Sequence, residues 1–119
     1  MSDEFLKVAT AEINNEISKI QNILNSCQSS LDVYTNAAKI QKSTHKIKGL
    51  APMMEKEDLG ILAALLDSLL KKIMNGIVAN EILESLIIAA DEMKKSMTYP
   101  DYDLDKIKQK ISHLSSALS

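Results

Sequence analysis

One histidine, a lysine three residues on and a glycine four residues on stand in the run Ser43-Thr44-His45-Lys46-Ile47-Lys48-Gly49. Apolar spacing around them predicts a helix from Val33 to Met54, which carries four lysines and no acidic residue. The chain as a whole has net charge −2, so this helix is a basic stripe on an acidic protein. Residues at i, i+3 and i+4 are neighbours on a helix surface. A ring nitrogen of His45 would therefore stand beside a cation and an empty space, an arrangement that suits a phosphoryl group carried on histidine. That chemistry needs an accessible neutral ring nitrogen as nucleophile, a form that imidazole keeps populated near pH 7. It also needs a group that fixes the tautomer through the other nitrogen, as a carboxylate does in hydrolase triads. Asp67 is the candidate for that role, and Lys48 can neutralise part of the phosphoryl charge. Gly49 costs about 1 kcal/mol against alanine inside a helix. Something must need the missing side chain, and close approach of a partner is the favoured reason.

The elements that must position these groups are all helical. Leu6, Ala9, Ile13, Ile17, Ile20, Leu24 and Cys27 step by three or four, which predicts a first helix over residues 3 to 26. Ser26, Ser29 and Ser30 end it, and Asp32 can cap the next. The second helix buries Val33, Ala37, Ile40, Thr44, Ile47 and Ala51. At about 100° per residue, His45 projects away from that stripe among Ala38, Gln41, Lys42, Lys48, Gly49 and Pro52. Pro52 should kink or end the helix.

A third helix is expected from Lys56 to Asn75 on Leu59, Leu62, Leu66, Leu69 and Ile73, stopped by Gly76. Beside its leucines lies a strip of Gly60, Ala63, Ala64, Asp67 and Lys71, small enough for close approach to the His45 face. A fourth helix is expected from Asn80, as cap, to Met97, on Ile82, Leu86, Ala89, Ala90 and Met93. Pro100 breaks the chain, and Asp101 or Asp103 opens a last helix on Leu104, Ile107, Ile111, Leu114 and Leu118. Short connections imply antiparallel neighbours. The expected fold is all-α, an up-down antiparallel four-helix bundle with a fifth C-terminal helix, in one domain over residues 1–119.

Composition excludes several classes of function. All fourteen basic residues are lysines, and there is one phenylalanine, three tyrosines and no tryptophan. A nucleic-acid reader usually brings arginines for guanine and aromatics for stacking. Two histidines and one cysteine, widely separated, lack zinc spacing, and no glycine-rich loop is present to cradle ATP. His113 lies opposite the Ile111 and Leu114 stripe, on the solvent side. Cys27 is alone, which fits a reducing compartment. The opening Met-Ser-Asp-Glu has no basic-then-apolar signal pattern, and no apolar run approaches the roughly 20 residues of a membrane span. A cytoplasmic protein is expected.

From Ala38 to Met97 the chain resembles the histidine phosphotransfer (HPt) domains, and within them the N-terminal phosphotransfer domain of the chemotaxis kinase CheA. The resemblance rests on His45-x-x-Lys48-Gly49, Ala51, Met53-Met54, Leu59-x-x-Leu62-Ala63 and Leu69-Leu70, with a last helix after Pro100. It implies a phosphocarrier in two-component, chemotaxis-type signalling, with no kinase machinery of its own. His45 would accept a phosphoryl group from a kinase ATP-binding domain and pass it to the aspartate of a response-regulator receiver domain. Lys48 would stabilise the phosphate, Asp67 would orient His45, and Gly49, Lys42, Ala38, Gln41 and Ala64 would face the partner. No cofactor is expected on this chain, ATP and Mg belonging to the kinase domain and Mg to the receiver.

Three positions depart from the family pattern. Asp67 stands in place of a usual glutamate, one methylene shorter. Ala64 occupies a position held by a second histidine in some members. Glu55-Lys56 replaces a usual Gly-Phe, so the end of the histidine helix is expected to close differently. Two other readings compete. A sensor-kinase phosphoacceptor domain usually has an acid directly after its histidine and a proline five residues on, where Lys46 and Leu50 stand here. A helical adaptor could use the same basic face without being phosphorylated.

Overall fold

The computed structural model describes residues 2–77 and 79–118, and among these every regular element is a helix. They are α1 (Asp3–Ser26), α2 (Ser30–Met53), α3 (Glu57–Met74), α4 (Ile82–Thr98) and α5 (Asp105–Ala117). The apolar stripes read from the sequence face inward. Ile13, Ile17 and Leu24 of α1, Val33, Ile40 and Ile47 of α2, and the α3 leucines meet Ile82, Leu86 and Met93 of α4 and Ile107 and Ile111 of α5 in one core. The most extensive packing joins α2 to α3, while α1 packs on α2 and α4, and α5 packs on both α3 and α4.

Helix ends follow local chemistry, and some differ from expectation. The cap of α2 is Ser29, not Asp32: the Ser29 hydroxyl accepts from the Asp32 N–H, and Asp32 accepts from the Gln28 N–H at 2.8 Å. The Ser29 cap starts the helix three residues before Val33, and Asp32 ties back the residue that precedes the cap. Asn80 does not cap α4; the cap residue is Glu81, with no side-chain hydrogen bond, and the Asn80 carbonyl instead accepts from the Ser30 hydroxyl. Neither Asp101 nor Asp103 is the cap residue of α5, which is Leu104, although Asp103 accepts from the Asp105 N–H.

Pro52 sits one residue before the end of α2. There the Lys56 N–H donates to the Ala51 carbonyl and the Glu55 N–H to the Pro52 carbonyl. That pattern is a Schellman closure, with Glu55 at φ 61° in the left-handed position that glycine usually fills. The helix thus closes in the ordinary way, with Glu55 as a strained residue at the turn. Gly76, at φ 93°, closes α3 by the same pattern.

Glycine has opposite uses at two positions. A Cβ on Gly60 would lie 2.9 Å from Cγ of Pro52, so α3 crosses α2 there without room for a side chain. A Cβ on Gly49 would meet nothing within 4 Å. Gly60→Ala should therefore destabilise the protein, because about 1–3 kcal/mol of overpacking exceeds the gain in helix propensity. Gly49→Ala should stabilise it by about 1 kcal/mol. Glu55→Gly should also stabilise it, by about 0.5–1 kcal/mol, through relief of the left-handed strain. Urea melts of the three variants check these signs, and a less stable Glu55→Gly protein would contradict the closure described.

Candidate functional site

The site is built where α2 and α3 press together. Ile40, Thr44, Ile47 and Ala51 turn one side of α2 into the core, which leaves His45 on the outer surface with 66% of its side chain exposed. On α3, Asp67 is on the buried side next to Leu66 and Leu70, only 2% exposed. A buried carboxylate must be partnered or protonated, and Asp67 is fully partnered. Gln41 Nε2 donates to Oδ1 at 2.6 Å. Lys71 Nζ, one turn along α3, lies 3.2 Å from Oδ2, and Lys48 Nζ lies 3.8 Å from the same oxygen. Burial alone would push this carboxyl up. The hydrogen bonds from Gln41 and Lys71, with the charges of Lys71 and Lys48, outweigh it and hold the group below the usual carboxylate range.

His45 faces the same carboxylate, with Nδ1 3.9 Å from Oδ1. That separation exceeds hydrogen-bond range, and the oxygen it faces is the one that Gln41 already holds. Active-site hydrogen bonds are often long before the partner binds. Asp67 is thus placed to accept a hydrogen bond from the Nδ1–H if the ring moves inward by about 1 Å. A concavity of about 320 Å³ opens beside His45, lined by Gln41, Lys42, Lys46 and Lys71 as well.

The structure brings His45, Gln41, Lys48 and Asp67 together, and sets Lys42 at the rim with His45. Gly49 is exposed one turn beyond His45, and Ala38 is exposed two turns before it. Ala64 is half-buried on α3, one turn before Asp67. Neither alanine lines the concavity. His113 is exposed on α5, where it borders a separate shallow groove.

Two features were not read as site residues from the sequence. Lys71 is the cation closest to Asp67, and its signal was the i, i+4 spacing on one face of α3. Glu16 of α1 is 2% exposed, and its carboxylate pairs with Lys19 at 3.2 Å and with Lys46 at 3.5 Å. Burial raises the Glu16 carboxyl, but hydrogen bonds from Ser43 and Lys19 and the charges of Lys19 and Lys46 bring it below its ordinary value. Its position beside Ile13 and Ile17 on the apolar stripe was the available signal. Through it, α1 fixes the side of α2 adjoining His45.

A larger concavity, about 680 Å³, lies elsewhere, between α1 and α4 beside Tyr102. No histidine lines it, and the Tyr102 hydroxyl is already donated to Glu92 at 2.5 Å. Among the described residues no group of three His, Cys, Asp or Glu side chains is arranged to hold a metal ion. No described helix is long and apolar enough to cross a membrane. No protein-family model, curated protein or solved structure matches this chain.

The two depressed carboxyls give acid sensitivity a definite sign. Between the folded and unfolded pKa values the unfolded chain binds a proton that the folded one does not, so stability rises with pH there. The contribution is complete above about pH 4, near the unfolded value, and is lost as pH falls through the folded one. Asp67→Asn should therefore flatten the fall in stability between about pH 5 and about pH 2, measured as the urea midpoint against pH. An unchanged slope would mean that Asp67 is not held ionised as described.

Proposed function

We propose that this protein is a histidine phosphocarrier of the HPt type, with His45 as the phosphoacceptor. The observation that carries the reading is the pairing of an exposed imidazole with a buried, multiply partnered carboxylate across the α2–α3 contact. In the step proposed, Nδ1 keeps its proton directed at Asp67 while the lone pair of Nε2 attacks phosphorus. The N–P bond forms, and the P–O bond of the donor breaks with its electron pair leaving on the donor oxygen. Transfer onward reverses the roles, a receiver aspartate attacking phosphorus as the ring nitrogen leaves.

The donor under this reading is the ATP-binding domain of a kinase, with ATP and Mg bound there. The acceptor is a receiver domain of a response regulator, which brings its own Mg, in a chemotaxis-type cytoplasmic pathway. The site fits a carrier because its groups could hold and orient a phosphoryl group. Gly49 supports docking, since its exposed surface is open where a side chain would stand.

The up-down antiparallel bundle belongs to the same proposal. Ser43 meets Glu16 while Lys46 meets Glu12, and Gln41 meets Asp67 while Pro52 meets Gly60. Both sets run in opposite chain directions, as antiparallel α1–α2 and α2–α3 neighbours would. Ser30 reaches Asn80 at one end and Lys56 reaches Ser96 at the other, in keeping with parallel α2 and α4.

Incubation with a CheA-type catalytic domain and labelled ATP tests the reading. The expected result is acid-labile label on the wild type and none on His45→Gln, with His113→Gln labelled normally. Asp67→Ala should slow labelling without unfolding the protein, by less than the ~10⁴ lost when a triad carboxylate is neutralised, since this ring is largely exposed. Asp67→Glu, reaching one methylene farther toward His45, should label at least as fast as wild type. An unlabelled wild type that still binds partners through the basic face would make the protein an adaptor instead.

A further inference from the structure

The lysine that the sequence motif marks for the phosphate is not the one beside the open space. Side chains on a helix lean toward its N-terminus, so the ring of His45 lies over the turn that contains Gln41 and Lys42. The concavity there is bordered by Gln41, Lys42, Lys46 and Lys71, and Lys48 is not among its walls. Lys48 instead reaches Asp67 Oδ2, at 3.8 Å. Lys46 is turned toward α1, where Glu12 at 3.9 Å and Glu16 at 3.5 Å offset its charge. Lys71 lies at the mouth, 3.2 Å from Asp67, with 58% of its side chain exposed. Lys42 is exposed and forms no ion pair with any carboxylate of the described residues.

Among the described residues, the charged side chains that line this space besides His45 are the ammonium groups of Lys42, Lys46 and Lys71, with no carboxylate among them. Glu12 and Glu16 offset Lys46 from the α1 side, and Asp67 lies against Lys71. The charge of Lys42 is not offset in this way, so the wall keeps a positive excess. A phosphoryl dianion suits a wall of that sign.

We propose that the concavity on the N-terminal side of His45 is the phosphoryl subsite, with Lys42 and Lys71 as the cations that bind the transferred group. Lys48 serves Asp67 and the ring orientation. The assignment rests on His45 being the phosphoacceptor, and it changes which lysines touch the phosphate.

Two donors separate chemistry from docking. Labelled ATP with a CheA-type catalytic domain requires the partner to recognise the carrier, whereas phosphoramidate, a small donor, requires only the site. With phosphoramidate the Nε2–P bond forms, the donor's P–N bond breaks, and the leaving amine takes a proton and departs as ammonia. Lys42→Ala and Lys71→Ala should each slow labelling of His45 about fivefold with both donors, the effect of one exposed charge pair. Lys42→Arg and Lys71→Arg should restore most of it, and Lys48→Ala, which touches only the orienting carboxylate, should slow labelling with phosphoramidate less than either alanine variant. The isolated phosphoprotein should also lose its label at a different rate in the Lys42 and Lys71 variants, which a purely structural role would leave unchanged. Wild-type rates with phosphoramidate for both alanine variants, or a larger loss in Lys48→Ala, would overturn the subsite. A wild-type protein that takes label from neither donor would instead sink the carrier reading, and the subsite with it.

Discussion

The constraint on which the site depends is that Asp67 is a buried carboxylate that must stay ionised. An unpaired charge at that depth would be costly enough to force protonation. The chain meets the requirement from two helices at once, with Gln41 and Lys48 on α2 and Lys71 on α3. Gln41 and Lys48, the α2 groups that satisfy Asp67, also draw α2 onto α3, so this electrostatic demand helps fix the crossing that places His45. The close approach is possible because Gly60 lets the Pro52 ring lie where a Cβ would otherwise stand. Charge satisfaction at one end of the contact and the absent side chain at the other set the same geometry. Glu16 repeats the arrangement on the opposite side of α2, holding Lys46 and Ser43 from α1. The helix that displays His45 is thus clamped on both flanks by buried acids.

Much of this was legible because helical burial follows a fixed period. The stripes from Ile13 to Leu24, from Val33 to Ala51 and from Leu59 to Ile73 needed only their spacing, and each faces the core. The start of α1 and the stop at Gly76 followed from local sequence for the same reason. Less legible was anything decided by competition among polar groups for one partner. Ser29 and Asp32 are both good caps, and only the hydrogen bonds they form show which residue begins the helix. Glu55 has no intrinsic preference for a left-handed turn. It takes that conformation because Pro52 ends the helix and Lys56 must close it, so its own preference is overridden by its neighbours.

The candidate site divides along the same line. His45, Lys48, Gly49 and Asp67 were visible as residue types at helical spacing. What spacing could not show is that Gln41, expected to face a partner, would hold the carboxylate oxygen nearest to the histidine. Nor could it show that Lys48 would lie against the carboxylate instead of the open space. A lysine stem is long enough to reach several groups from one position, so its partner is set by the surrounding charges. Lys71 was recognised as a member of a face and not as part of a site, because an i, i+4 ion pair is most often an exposed one of little consequence. Burial of Asp67 makes this one different.

The Gln41–Asp67 hydrogen bond also bears on how the site would work. The two donors compete for Oδ1: Gln41 holds it at 2.6 Å while His45 Nδ1 stands off at 3.9 Å. An oxygen has more than one lone pair, so the ring can move in without expelling the amide. Under the phosphocarrier proposal, Asp67 would therefore need no reorganisation when His45 became cationic, as it would once its second nitrogen carried phosphorus. The carboxylate is already ionised and already fixed in place by Gln41, Lys71 and Lys48. Groups held ready in this way stabilise a developing charge without the cost of turning toward it.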